Sequence, residues 1–299
     1  MQATTRSINF IPIFQICVSL SFGLMLICLP NIGNTSEIIE KTLPNKLHVS
    51  ALYHRGEKNQ PAVFITHGFL QTRNYLTVSS LSNSLIESGY TVLAPTLSLG
   101  ISRRQRSLPC DAIHTHTMKD DVNEIAFWID WLNKNQKNKI ILVGHSYGSL
   151  QNLVYASKQP NPAVKGIIAT SLVDVEHVLG VEQVYSQIKI AHKQLKQDKT
   201  KLHNYKLSYC KNFVSPPGVF LSYSEWTKKR ILNAMPRINI PVEVILGSKD
   251  KRMGGNWPKL IKEKGATLII IDGANHFFDA EHEFDLLEMV QQSINNISR

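Results

Sequence analysis

Short, almost wholly apolar runs alternate along most of this chain with segments whose apolar residues recur at helical spacing. Leu47 to Tyr53 alternates as a first strand, and Pro61 to Thr66 reads as a short buried strand ending at His67-Gly68. Leu76 to Ser88 carries Val78, Leu81, Leu85 and Ile86 on one helical face and is stopped by Gly89. Thr91 to Ala94 follows as a strand closed by Pro95, then a long polar loop from Thr96 to about Lys119. Asp120-Asp121 is expected to cap a helix burying Val122, Ile125, Ala126, Ile129 and Leu132. Lys139 to Val143 is a strand running into Gly144, Ser149 to Lys158 a helix, and Val164 to Thr170 another buried strand.

Strands that are apolar throughout need cover on both faces. The pattern therefore predicts an α/β fold with a mostly parallel central sheet and helices on both sides. The rhythm breaks from Asp174 to about Arg237, which holds many lysines, a helix near Val181 to Gln197 and no clear strand. It resumes at Val242 to Leu246 and Thr267 to Ile271, and a last amphipathic helix from about Glu281 to Ile297 places Phe284, Leu287, Val290 and Ile294 on one side. Because the sheet needs its later strands, residues 46–299 are expected to form one domain, with 174–237 a helical cap inserted into it.

The run from Ile8 to Leu29 is nearly continuous in apolar character and is preceded by a single cation, Arg6. Residues 1–35 thus read as a cleaved export signal or an uncleaved membrane anchor, with a buried helix of the fold as the bland alternative. Gly33-Asn34-Thr35-Ser36 offers small and polar residues for cleavage but no Ala-x-Ala pattern, and Ile27 before Cys28 argues against a lipoprotein signal. Either way the domain is expected outside the cytoplasm, secreted, periplasmic or membrane-anchored. Cys17 and Cys28 fall inside that run, which leaves Cys110 and Cys210 as a pair that an oxidising compartment could join; separate thiols are the alternative.

Over its 299 residues the composition, 43% hydrophobic and 19% charged, is that of an ordinary globular protein. The formal net charge of +10 favours anionic surfaces or substrates, but the cations are spread out and no nucleic-acid motif is present. His114-Thr115-His116 with Asp120 and Asp121 could be drawn as a metal site, yet the aspartates are what a helix N-terminus wants. Ser102 to Arg106, with three arginines, could meet an anionic group at the rim; a solvated loop is the plainer reading.

The chemistry gathers at Gly144-His145-Ser146-Tyr147-Gly148, a G-x-S-x-G pentapeptide between an apolar strand and a helix. Such a serine sits on a tight strand-to-helix turn, and glycines on either side let neighbouring backbone approach. A nucleophilic serine needs a base and an orienting acid. Asp250 follows the strand ending at Leu246, and His276 follows the strand ending at Ile271, where open α/β sheets place their sites.

With these residues in that order, the sequence from about 47 to 298 resembles the α/β-hydrolase superfamily, in particular its capped, lipase- and peptidase-like members. The resemblance implies Ser146 as nucleophile, His276 as base and then acid, and Asp250 as orienting acid. His67-Gly68-Phe69 matches the family's His-Gly turn, which implies the backbone N–H groups of Phe69 and Tyr147 as an oxyanion hole, with His67 holding the turn. Asp174 is a rival for the acid, Asp272 reads as a turn former, and His145 as packing. No cofactor or metal is implied. The expected reaction is hydrolysis of a carboxylic ester, or less readily a thioester or amide, of a small or lipid-like acyl compound. A non-catalytic protein that keeps the fold and a membrane-bound acyltransferase are the competing readings. Tyr185, Tyr205, Tyr209, Phe213, Phe220, Tyr223 and Trp226 would give the cap an apolar underside.

Overall fold

A computed structural model describes residues 35–136, 139–158 and 160–298. The apolar run at 8–29, with Cys17, Cys28 and the candidate cleavage region before Thr35, lies outside these residues. Among the described residues no helix is long and apolar enough to cross a membrane.

Eight strands form one sheet in the spatial order β1 (Glu37–Thr42), β2 (His48–His54), β4 (Thr91–Thr96), β3 (Ala62–Thr66), β5 (Ile140–His145), β6 (Val164–Thr170), β9 (Val242–Gly247) and β10 (Thr267–Ile271). β1 and β2 pair antiparallel, β2 joins β4 antiparallel, and every later pairing in the sheet is parallel. The expected mostly parallel sheet is thus present.

Its side chains divide with the two-residue period of a strand. Ala62 and Phe64 of β3 point into one core, with Val122, Ile125 and Trp128 of α2 (Met118–Gln136), Leu150 and Leu153 of α3 (Tyr147–Ala156) and Trp257 of α8 (Trp257–Glu263). Val63 and Ile65 point into the other, against Val78, Leu81 and Leu85 of α1 (Leu76–Glu87) and Leu286, Val290 and Ile294 of α9 (His282–Ser298). Both faces are covered, which is why these strands carry almost no polar residue.

Between β6 and β9 the chain inserts α4 (Val175–Leu179), α5 (Val181–Gln197), the antiparallel hairpin of β7 (His203–Leu207) and β8 (Cys210–Ser215), α6 (Pro217–Ser224) and α7 (Lys228–Ala234). The hairpin is where no strand was expected. Only one of its faces is buried, so Lys206, Lys211 and Asn212 stand outward and dilute the apolar signal. A Cys110–Cys210 disulfide ties its tip to the 96–119 loop, and His114 N–H donates to the Val214 carbonyl beside it.

Three other details depart from the sequence reading. β1 carries the sheet back to Glu37, ahead of residue 46; it is a polar edge strand, mostly exposed along its length. α2 starts at Met118 with Thr117 before it: Thr117 N–H donates to Asp120 Oδ2 and Asp120 N–H to Thr117 Oγ1, a reciprocal cap. Phe284 is 75% exposed, because the buried stripe of α9 runs through Leu286, Val290 and Ile294, two residues out of step with it.

Candidate active site

Ser146 stands between β5 and α3 at φ 58°, ψ −118°, a left-handed conformation that a serine adopts only when its surroundings impose it. The glycines around it make the turn sterically feasible. A Cβ on Gly148 would lie 2.3 Å from the Thr66 carbonyl oxygen, and one on Gly144 would lie 2.5 Å from Ser149 N. α3 can therefore approach both β5 and β3 this closely only without side chains there. Ser146 N–H donates to the Thr170 carbonyl of β6 and fixes the turn against the neighbouring strand.

The ends of β9 and β10 bring the two partners. His276 Nε2 lies 2.9 Å from Ser146 Oγ, and His276 Nδ1 lies 2.8 Å from Asp250 Oδ2. The other carboxylate oxygen, Oδ1, accepts from Arg252 N–H at 2.8 Å, so both oxygens of Asp250 are held. Ser171 Oγ donates to the His276 carbonyl at 2.7 Å and fixes the loop from behind. All three side chains are buried, Ser146 to 6% exposure. The geometry is that of a hydroxyl aligned with a base, and a base aligned with a carboxylate.

On the other flank, the Phe69 and Tyr147 N–H groups meet no protein acceptor among the described residues, which leaves two donors free beside Ser146. His67 braces the first of them. Its ring lies 2.9 Å from the Gly68 carbonyl through Nδ1, and its Nε2 accepts from Leu97 N–H at 3.0 Å. Burial, with the Arg104 cation second, pulls its pKa down to about 3, so the ring is neutral and structural. Arg104 itself is neither at the rim nor solvated. Its buried guanidinium donates to the carbonyls of Leu97, Arg106 and Gln71, and clamps the loop after β4 to the loop after β3.

The remaining candidates fall apart from this chain of bonds. Asp174 caps α4 and pairs with Lys228 at 2.7 Å, and Asp272 accepts from Ser248 Oγ. His145 is buried against Thr170 Oγ1 at 3.2 Å. Among the described residues no group of His, Cys, Asp and Glu gathers as a metal set. His114 instead stacks on Phe213 at 4.2 Å, and His116 lies edge-on to Tyr223.

The aromatics of the insertion serve two different purposes. Tyr205 and Phe220 stack on each other at 4.0 Å inside the insertion, whereas Tyr209, Phe213 and Tyr223 all meet the Phe69 ring within 6.2 Å. Tyr209 Oη also donates to the Phe69 carbonyl at 2.9 Å. Sequence reasoning missed that bond, and nothing in the local sequence around Tyr209 signals it. Asp121, expected as a helix cap, instead lies buried in α2 and accepts from Tyr223 Oη and Gln151 Nε2. Burial raises its pKa to about 7. Two clefts of about 460 Å³, one lined by Trp226 and Arg237 and the other by Leu43 and Phe127, lie elsewhere and include none of these groups.

Strand order, sheet direction and the serine turn agree with one architecture, and comparison with known proteins agrees with it too. The family model described as the alpha/beta hydrolase fold matches residues 61–200. The chain has the α/β-hydrolase fold. Solved structures with this fold include Est1E from Butyrivibrio proteoclasticus, 16% identical with a TM-score of 0.60, covering 88% of this chain and 98% of its own. The esterase Pf2001 of Pyrococcus furiosus is 16% identical at TM-score 0.62, covering 88% of this chain and 91% of its own. The thioesterase domain from the curacin biosynthetic pathway is also 16% identical, at TM-score 0.59, covering 87% of this chain and all of its own. No curated protein matches the sequence. At these identities the likeness is one of α/β-hydrolase architecture.

Proposed function

We propose that this chain is a serine hydrolase that cleaves a carboxylic ester through an acyl-enzyme, with Ser146 as nucleophile. The observation that carries the reading is the hydrogen-bonded chain from Asp250 through His276 to Ser146, facing two unengaged backbone donors. Structural neighbours named as an esterase and as a thioesterase domain lend the reading support.

In the first half-reaction His276 Nε2 takes the hydroxyl proton as Ser146 Oγ bonds to the substrate carbonyl carbon. The carbonyl π electrons move onto oxygen, and the Phe69 and Tyr147 N–H groups hold that charge. Losing one such donor costs about 3 kcal/mol of transition-state stabilisation. When the tetrahedral species collapses, His276 gives the proton to the leaving alcohol oxygen, and Asp250 stabilises the imidazolium in between. Water repeats the sequence on the acyl-enzyme and releases the acid. The insertion acts as a cap, its aromatic underside covering the site. The apolar run at 8–29 and the Cys110–Cys210 bond support a place outside the cytoplasm, where disulfides persist.

A panel of esters of increasing acyl length, assayed with the wild-type protein and with Ser146→Ala, tests this. Hydrolysis of at least one ester by the wild type and none by the variant is expected, with both melting at the same temperature. Equal turnover by the two proteins would refute it. Product ratios with a competing alcohol separate transfer to water from transfer to an acceptor.

A further inference from the structure

Most half-buried or buried arginines in this protein have used their donors. Arg73 donates to Ser50 and Thr96, and Arg104 to main-chain carbonyls. Arg252 differs. Its side chain is half-buried, yet its guanidinium has no carboxylate, carbonyl or hydroxyl acceptor among the described residues. It meets only rings, those of Phe277 at 5.0 Å and Tyr209 at 5.7 Å.

Those rings belong to opposite sides of the site. Phe277 follows His276 and packs against its ring, and Tyr209 is bonded to the Phe69 carbonyl on the oxyanion side. The Arg252 backbone is fixed to the same machinery, its N–H on Asp250 Oδ1 and its carbonyl accepting from Asp174 N–H. Of the nearby carboxylates, Asp250 is paired with His276 and Asp174 with Lys228, and among the described residues none forms an ion pair with Arg252. Lys249 and Lys251, exposed on the same loop, add positive charge around it.

We propose that Arg252 is an anion-recognising specificity residue, and that the substrate is an ester bearing a carboxylate or another compact anion on its acid or alcohol part. The proposal rests on the hydrolase reading of Ser146. Ring contacts hold a guanidinium by its faces and leave its edge N–H groups free, the geometry needed for a paired bond to an oxyanion. A half-buried cation held between rings loses little further freedom when it binds a ligand oxyanion, and the pairing is charge-assisted. The excess of positive charge over the whole chain also draws such substrates toward the site.

The test uses matched esters: 4-nitrophenyl hemisuccinate against 4-nitrophenyl valerate for the acid part, and 4-acetoxybenzoate against 4-methylphenyl acetate for the alcohol part. The wild-type protein is expected to prefer the anionic member of at least one pair by about tenfold in kcat/KM, the discrimination of one charge-assisted contact. Arg252→Met should abolish that ratio, chiefly by raising KM for the anionic ester, and Arg252→Lys should restore part of it. A ratio unchanged in Arg252→Met, or no preference in the wild type, overturns the assignment. Failure of Ser146 to label with a fluorophosphonate, with no ester cleaved, marks instead the failure of the hydrolase reading, and both proposals fall together.

Discussion

Ser146, Asp250 and His276 are delivered by the ends of β5, β9 and β10, whereas the rings of Tyr209, Phe213 and Tyr223 against Phe69 come from the 174–237 insertion. The two regions are held by different forces. In the first, parallel strands bond to each other residue by residue, and each of the three residues has a second tie: Ser146 N–H to Thr170, Asp250 Oδ1 to Arg252 N–H, the His276 carbonyl to Ser171. In the second, side chains such as Leu207, Val219 and Leu221 continue the core on one face of the sheet, joined by one disulfide and a few polar links such as Tyr209 to Phe69 and Tyr223 to Asp121. On this account the sheet sets the chemistry, and the insertion sets what reaches it.

The largest effect is expected where the sheet region is broken at its chemistry. His276→Ala removes the proposed base and should lower kcat by about 10⁴-fold or more, with KM little changed because the insertion is untouched. A rise in KM of similar size would mean that the two regions are not separable in this way.

Next comes the tie on the insertion. The Cys110–Cys210 bond closes a loop with a sequence separation of 100 residues. Opening it by Cys110→Ser with Cys210→Ser is expected to lower stability by about 2–4 kcal/mol, read as a drop in melting temperature. It should also raise KM more than it lowers kcat, since the hairpin tip carries Tyr209. Unchanged melting would show that the ring contacts alone hold the hairpin.

Asp121 lies where the two regions meet, on α2 but bonded to Tyr223 of the insertion. Its pKa is raised by burial to about 7, so the folded protein binds a proton that the unfolded chain releases near pH 4. Stability from this group is therefore full below about pH 4 and is lost as pH rises toward 7 and beyond. Asp121→Asn should be relatively more stable than the wild type at pH 8 than at pH 5, measured by urea unfolding at both values. A stability difference independent of pH would remove the buried proton from the account.

The smallest effect is expected for Tyr209→Phe, which deletes one hydroxyl and keeps the ring. Losing a net hydrogen bond of about 1 kcal/mol at the Phe69 carbonyl should reduce kcat by roughly fivefold, through a looser oxyanion turn. An effect confined to KM would place the tyrosine in substrate contact instead.

The same contrast explains what could be read from the sequence. The sheet region was legible because strands covered on both faces are apolar almost throughout, as is β9 ahead of Asp250. β10 ahead of His276 was legible because it is apolar in sequence, although it is a partly exposed edge strand. β1 was hidden by its exposure at the sheet edge, and β7 and β8 by the outward lysines of a half-buried hairpin. Arg104 looked like a surface cation, since nothing local reveals that Leu97, Arg106 and Gln71 turn their carbonyls toward it. Phe284 shows the converse, an aromatic at helical spacing that faces solvent. Local pattern fixes elements whose environment is uniform, and fails where one long-range contact decides a side chain's fate.

The central claim is that Ser146 Oγ is an activated nucleophile. Intact-mass measurement after incubation with a fluorophosphonate, followed by peptide mapping, addresses it without any assumption about substrate. A single adduct on Ser146 is expected in the wild-type protein, formed far more slowly in His276→Ala. No adduct on the folded full-length chain, or an adduct on another residue, would contradict it.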